Sequence, residues 1–132
     1  MTKKSALFID TSGFDNAVVA INHSGRITEV KFPIHQNWSE QLPRQIALLF
    51  KKAGIKMSEI EVIYVVRGPG SFSGTRTGVS FGNALALALN IPVFGVKNSF
   101  NYLTMRNFTV KIFRKYIKPV YSSPPHITRP KK

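Results

Sequence analysis

The sequence predicts an α/β domain with elements in the order βββαβαβ and a mixed five-stranded sheet. Three observations carry that reading. Three short segments rich in β-formers open the chain, each set off by turn residues. A stretch with apolar positions at helical spacing follows them. Then a nearly continuous apolar run leads through glycine-rich sequence into a second helical stretch and another short apolar run. A strand, helix and strand in that order imply parallel pairing through a right-handed crossover.

The elements can be justified in order. Residues 5–10 alternate weakly and read as a strand, and Thr11-Ser12-Gly13 as a turn. Residues 16–22 (NAVVAIN) give a second strand, Asn22-His23-Ser24-Gly25 a hairpin turn, and residues 26–32 (RITEVKF) a third strand of period two. Together they predict an antiparallel meander. Ser39 and Glu40 then open a helix, with Ser39 as a cap, Glu40 at the positive end and Pro43 still in the first turn. Leu42, Ile46, Leu49, Phe50 and Ala53 follow at helical spacing, and Gly54 ends the helix after Lys51 and Lys52. Residues 60–66 (IEVIYVV) have the continuous apolarity of a strand buried on both faces. A second helix is predicted over about 72–89, stopped by Asn90-Ile91-Pro92, with residues 93–96 as the fifth strand. Residues 99–106 suggest a short helix, and residues 108–117 match neither period. From Pro119 four prolines and the final lysines read as an extended tail.

Composition narrows the function classes. At 132 residues the chain is most simply one domain, able to bury a core without staples. There is no cysteine, which excludes disulfides, thiolate metal sites and a cysteine nucleophile. No apolar run is long enough for a signal peptide or a bilayer span, so the chain is expected to be cytoplasmic, with no membrane partner. All six acids lie in residues 1–61 against eight Lys/Arg, whereas residues 62–132 hold eleven Lys/Arg and no acid. A positive half without counter-charge is a footprint for polyanions, of which RNA is the commonest in a cytosol; an acidic partner protein would read the same way.

Residues 67–78 (RGPGSFSGTRTG) hold the densest pattern. A Walker A loop needs a lysine after the glycine that ends its spacer, and none follows Gly74. A dinucleotide fingerprint needs G-x-G-x-x-G; Gly68, Gly70 and Gly74 are spaced one residue too widely, and no acid follows to hold a ribose. What remains is a tight turn before a helix N-terminus. There Gly68, Gly70, Ser71 and Arg76, with Asp10, Thr11 and Ser12 from the first strand end, could contact a phosphate or nucleotide. Packing is the stronger reading. Gly74, Gly78, Gly82 and Ala86 are each four residues apart and make one smooth helical stripe. Three helical glycines cost roughly 2.5–3 kcal/mol relative to alanine, so a close backbone approach must offset them. The approaching surface is either the chain's own sheet or a helix of another subunit. Leu85, Leu87 and Leu89 leave the helix end apolar on more than one side and favour the partner helix, with Leu42, Ile46 and Leu49 contributing from the first helix.

Other chemistry has little support. His23, His35 and His126 are scattered without metal-ligand spacing, so no metal site is expected. Asp10 alone is a single carboxylate at a turn, no Ser/His/Asp set has local support, and Trp38 and Phe50 read as packing residues.

The segments FIDTSGFDNAVVAI, WSEQL and VVRGPGSFSGTRTGVSFGNALALALNIPVFGVKNS together resemble the TsaB (YeaZ) family over residues 6 to about 102. The resemblance implies an actin-like, ribonuclease-H-type fold. It also implies a noncatalytic subunit of tRNA threonylcarbamoyladenosine synthesis that pairs through helices 39–53 and 72–89 with a TsaD-type transferase. A TsaE-type ATPase completes such a complex, tRNA is met through it, and the same helical face supports a homodimer. ATP or ADP with magnesium would sit at an interface shared with partners, none of it bound tightly by this chain. The chain departs from the family in carrying Trp38-Ser39-Glu40 for His-Ser-Glu, and Ser73, Thr75 and Thr77 for Thr, Leu and Ile. Residues 103–132 are too few for the family's second subdomain, yet KPVYSSPP at 118–125 resembles its closing tail. The expectation is a minimal, single-lobed form: residues 1–102 as the actin-like domain, residues 103–132 as a basic segment and tail. Actin-like phosphoryl chemistry uses acids from two lobes, and TsaD binds metal with a histidine pair missing here, so catalysis by this chain alone is not expected. The alternatives are a residual ATPase or phosphotransferase using Asp10 and the loop at 68–76, and a free-standing tRNA-binding module.

Overall fold

The central strand is β1 (Ser5–Asp10), whose weak alternation does not mark it as buried on both faces. In the computed structural model, which describes residues 5–34 and 38–102, β1 has Ala6, Leu7, Phe8 and Ile9 all buried. It pairs antiparallel with β2 (Asn16–His23), which pairs antiparallel with β3 (Arg26–Pro33). The β2–β3 hairpin closes through Ser24 and Gly25, both at positive φ, with the Gly25 N–H donating to Asn22 Oδ1 at 2.9 Å. Two positive-φ residues match the twist of the flanking strands.

On the other side of β1 lies β4 (Val62–Gly68), parallel to it, and beyond β4 comes β5 (Val93–Lys97), also parallel. The sheet order is β3-β2-β1-β4-β5. The predicted meander and crossover are both present. Strand boundaries move by at most two residues, and a short 3₁₀ turn at Met57–Glu59 was not foreseen.

Two helices cover one face of the sheet. α1 (Trp38–Ala53) lies on β2 and β3, and α2 (Phe72–Leu89) on β1, β4 and β5. Side chains alternate across a strand, so Leu7, Ile9, Val19, Ile21, Ile63 and Val65 meet the helices. Each helix stops where the sequence indicates: Gly54 takes φ +72°, and Asn90 caps α2 in the left-handed region, its N–H donating to Leu87 O at 3.2 Å. α1 begins one residue earlier than expected, at Trp38; of Trp38 and Ser39 only the backbone is described.

The opposite face is closed differently. Ala6, Phe8, Ala20, Val62 and Val66 form a second apolar cluster, with Tyr64, Phe94, Val96, Phe100 and Tyr102 packed on it. Tyr64 stacks on both Phe94 and Phe100, at centroid distances of 5.7 and 5.4 Å, and Phe8 stacks on Tyr102 at 4.7 Å. Burial raises the Tyr64 phenol above its ordinary value of 10.0. The folded state therefore holds this proton more tightly than the unfolded chain. The associated stability is fully present below pH 10 and is lost as pH rises from there through the folded value. A Tyr64→Phe variant is expected to show a flatter decline of urea midpoint between pH 9 and 11 than the parent. Equal slopes would mean that the phenol is not desolvated.

Of the helix expected over residues 99–106 only 99–102 are described, and there Phe100 N–H donates to Lys97 O at 2.9 Å after a turn. His35, the unassigned segment 108–117, the tail and the proposed unit 103–132 lie outside the described residues.

Candidate functional site

The loops after β1 and β4 meet at the N-terminus of α2, and they bring together most of the residues singled out for phosphate contact. Asp10 Oδ1 accepts from the Ser12 N–H at 2.9 Å and from Ser12 Oγ at 2.6 Å, closing a tight turn. Ser71 N–H donates to Ser12 O at 2.9 Å, joining the two loops. Thr11, fully buried, donates its hydroxyl to Gly74 O at 2.5 Å. Gly70 lies so close to Ser12 that a Cβ would overlap its backbone and side chain.

An anion would need free N–H groups at this junction. Those of Ser12, Ser71 and Thr75 are already bonded, to Asp10 Oδ1, Ser12 O and Ser71 O respectively. Arg76 is exposed, with its guanidinium carbon 5.9 Å from the centre of the Phe72 ring. The bonds among these loops make the junction a packed joint between strand ends and helix.

The glycine stripe is the clearest correction. A Cβ on Gly74 would strike the Thr11 carbonyl, one on Gly78 the Thr11 hydroxyl, and one on Gly82 a Val65 methyl. The close approach that the spacing demanded is made by the chain's own β1 end and β4, not by a partner helix. Ala86 is buried in the same core, as are Leu42, Ile46 and Leu49 of α1. None of these seven residues is exposed to another subunit. Spacing shows that a smooth surface is needed; it carries no information about which surface fills it.

What the helices offer outward is different. On α2 the exposed positions are Ser73, Arg76, Ser80, Ala84, Leu87 and Ala88, three or four residues apart and so on one face. Leu87 is 73% exposed. On α1 the exposed side includes Arg44, Ala47 and Leu48, with Leu48 at 46%. The apolar excess noted at the end of the second helix thus resolves into one outward leucine, with Leu85 and Leu89 half-buried.

The remaining candidates are separate. His23 Nδ1 lies 2.5 Å from Ser5 Oγ, a local contact at the sheet end. Among the described residues no three metal-ligating side chains gather. Phe50 is in the core, and no helix among the described residues is long and apolar enough to cross a membrane.

Comparison with known proteins agrees with this architecture. Residues 33–112 match the family model described as TsaD: tRNA N6-adenosine threonylcarbamoyltransferase. The tRNA threonylcarbamoyladenosine biosynthesis protein TsaB of Buchnera aphidicola subsp. Schizaphis graminum is 29% identical over 116 residues, 85% of this chain and 50% of that protein. The TsaB of Buchnera aphidicola subsp. Baizongia pistaciae is 30% identical over 67% of this chain and 40% of its own length. The solved structure of YeaZ from Pseudomonas aeruginosa superposes with a TM-score of 0.66 at 32% identity, over 71% of this chain and 43% of that one. Strand order and these neighbours define an α/β domain of the actin-like, ribonuclease-H type. The chain belongs to the TsaB (YeaZ) branch of the TsaD family. It spans half or less of the length of these relatives.

Proposed function

We propose that this chain is a noncatalytic scaffold subunit in tRNA threonylcarbamoyladenosine synthesis, docking a TsaD-type transferase through the outer faces of α1 and α2. Two kinds of support meet here. The TsaB relatives are named for that biosynthesis. The observation that carries the docking surface is the outward leucines on two helices lying on the same side of the sheet. Small residues around them, Ala47, Ala84 and Ala88, let another helix approach closely. The same surface serves a homodimer when the transferase is missing.

A TsaE-type ATPase and tRNA join through the assembled complex in this reading. ATP or ADP and magnesium sit at an interface shared with the partners in this reading, none of it bound tightly by this chain. Reaction chemistry belongs to the transferase, and this chain positions it.

The test is reconstitution. Threonylcarbamoyl transfer to tRNA by a TsaD-type transferase and a TsaE-type ATPase is measured with and without this chain. Transfer is expected to depend on the chain and to saturate at one chain per transferase. Undiminished transfer without it would refute the scaffold role.

A further inference from the structure

At the C-terminal ends of β4 and β5 the parallel pairing slips. Val66 faces Val96, but Gly68 faces Lys97, so Arg67 is the extra residue of a bulge. A bulge takes its odd residue out of the ladder and re-aims the side chain. Gly68, at φ +115°, turns the chain immediately afterwards, a conformation that glycine adopts without strain. Asn98 donates from Nδ2 to Pro69 O at 2.7 Å and ties the loop after β4 to the end of β5. The product is a cleft of about 360 Å³ lined by Arg67, Gly68, Pro69, Gly95, Val96 and Lys97.

Two of these six residues are cations and none is an acid. Residues 62–132 contain no acid at all. The ion pair found among the described residues, Lys31 with Glu29, lies in β3, away from this end of the sheet. Like charges on neighbouring strands repel, and an anion between them removes the repulsion. The volume is at the small end for ligand clefts, enough for one compact unit. Pro69, Gly95 and Val96 add a wall without charge.

We propose that this cleft takes the phosphate of a nucleotide, with Arg67 and Lys97 as its two cationic contacts. Both cations line the cleft directly. The cleft and its charge argue for an oxyanion by themselves; the choice of a nucleotide rests on the proposed role in tRNA modification. The source is a free mononucleotide or one unit of an RNA strand, and the test separates them.

The full chain, without any transferase, is titrated with adenosine 5′-monophosphate and, separately, with a short RNA hairpin. Amide signals of Gly68, Gly95 and Lys97 are followed by NMR. Shifts with the mononucleotide assign a free nucleotide, and shifts with the hairpin alone assign the strand. The double variant Arg67→Ala/Lys97→Ala is expected to weaken binding about tenfold or more and, for RNA, to reduce the slope of log affinity against log salt by roughly 1.4–1.8. The double variant Lys51→Ala/Lys56→Ala, which removes equal charge from exposed positions elsewhere, is expected to change affinity less than about twofold. No shift with either probe, or equal weakening by both double variants, overturns the proposal. Because the transferase is absent, failure here leaves the scaffold reading standing, and failure of reconstitution leaves the cleft to be judged by these titrations alone.

Discussion

Replacing Gly74 by alanine is expected to destabilise the protein by about 2–4 kcal/mol, although alanine is the better helix former. An open helical position would gain about 1 kcal/mol from the change. Here the added methyl would meet the Thr11 carbonyl and the Ser71 hydroxyl, and backbone cannot move aside as a side-chain tip can. Displacing it also breaks the bond from the Thr11 hydroxyl to Gly74 O. That hydroxyl is fully buried, and leaving it without a partner costs about 1–3 kcal/mol more. Against a total stability of about 5–15 kcal/mol this is a large fraction. Gly82→Ala meets a Val65 methyl instead and should cost less, because a side chain can give way more readily than a carbonyl. Urea midpoints followed by far-ultraviolet circular dichroism would rank the two. Stabilisation by Gly74→Ala would mean that this face of α2 is open, and would restore the partner-helix reading of the stripe.

Leu87→Arg should leave folding intact and abolish docking. The side chain is mostly in solvent, so its replacement removes little from the core. If α2 packs its outer face on a transferase helix, the same change buries a guanidinium in an apolar contact. Loss of an anchoring side chain at an interface centre costs about 2 kcal/mol or more, roughly a thirtyfold loss of affinity, and an unpaired charge adds to it. Leu48→Glu tests the contribution of α1 in the same way. Co-elution with the transferase on size exclusion, alongside unchanged urea midpoints, is the measurement. Intact complexes with both variants would place the interface elsewhere. These substitutions separate docking from folding, which changes at Gly78 or Gly82 cannot do, because those positions face the chain's own sheet.

How far the sequence was readable differs between elements for physical reasons. The meander, both helices and the parallel pair were legible because each depends on local periodicity and turn chemistry, as in Ser24-Gly25 and Asn90. Residues 42, 46 and 49 were correctly seen as the apolar face of α1, but burial periodicity does not distinguish a core from an interface. Both require the same side chains. The glycine stripe failed at the same point: its partner, Thr11, lies 63 residues away from Gly74 and nothing local announces it. Arg67 was passed over for the glycines beside it. Its bulge arises from a slip in pairing between β4 and β5, a relation between two strands that neither strand's sequence contains.

The position of β1 in the middle of the sheet has a kinetic consequence. Its antiparallel neighbour β2 is next in the chain, but its parallel neighbour β4 pairs Val62 with Ala6, across most of the first half of the sequence. Closing that long loop costs about 3 kcal/mol more entropy than closing the two-residue hairpin of β2 and β3. During synthesis the meander can therefore form early, while one edge of β1 waits for β4 to emerge. In that interval the unpaired edge of a strand with four consecutive apolar residues, Ala6 to Ile9, is exposed. The stretch of translation between residues 10 and 65 is the window in which that edge stays open to wrong partners.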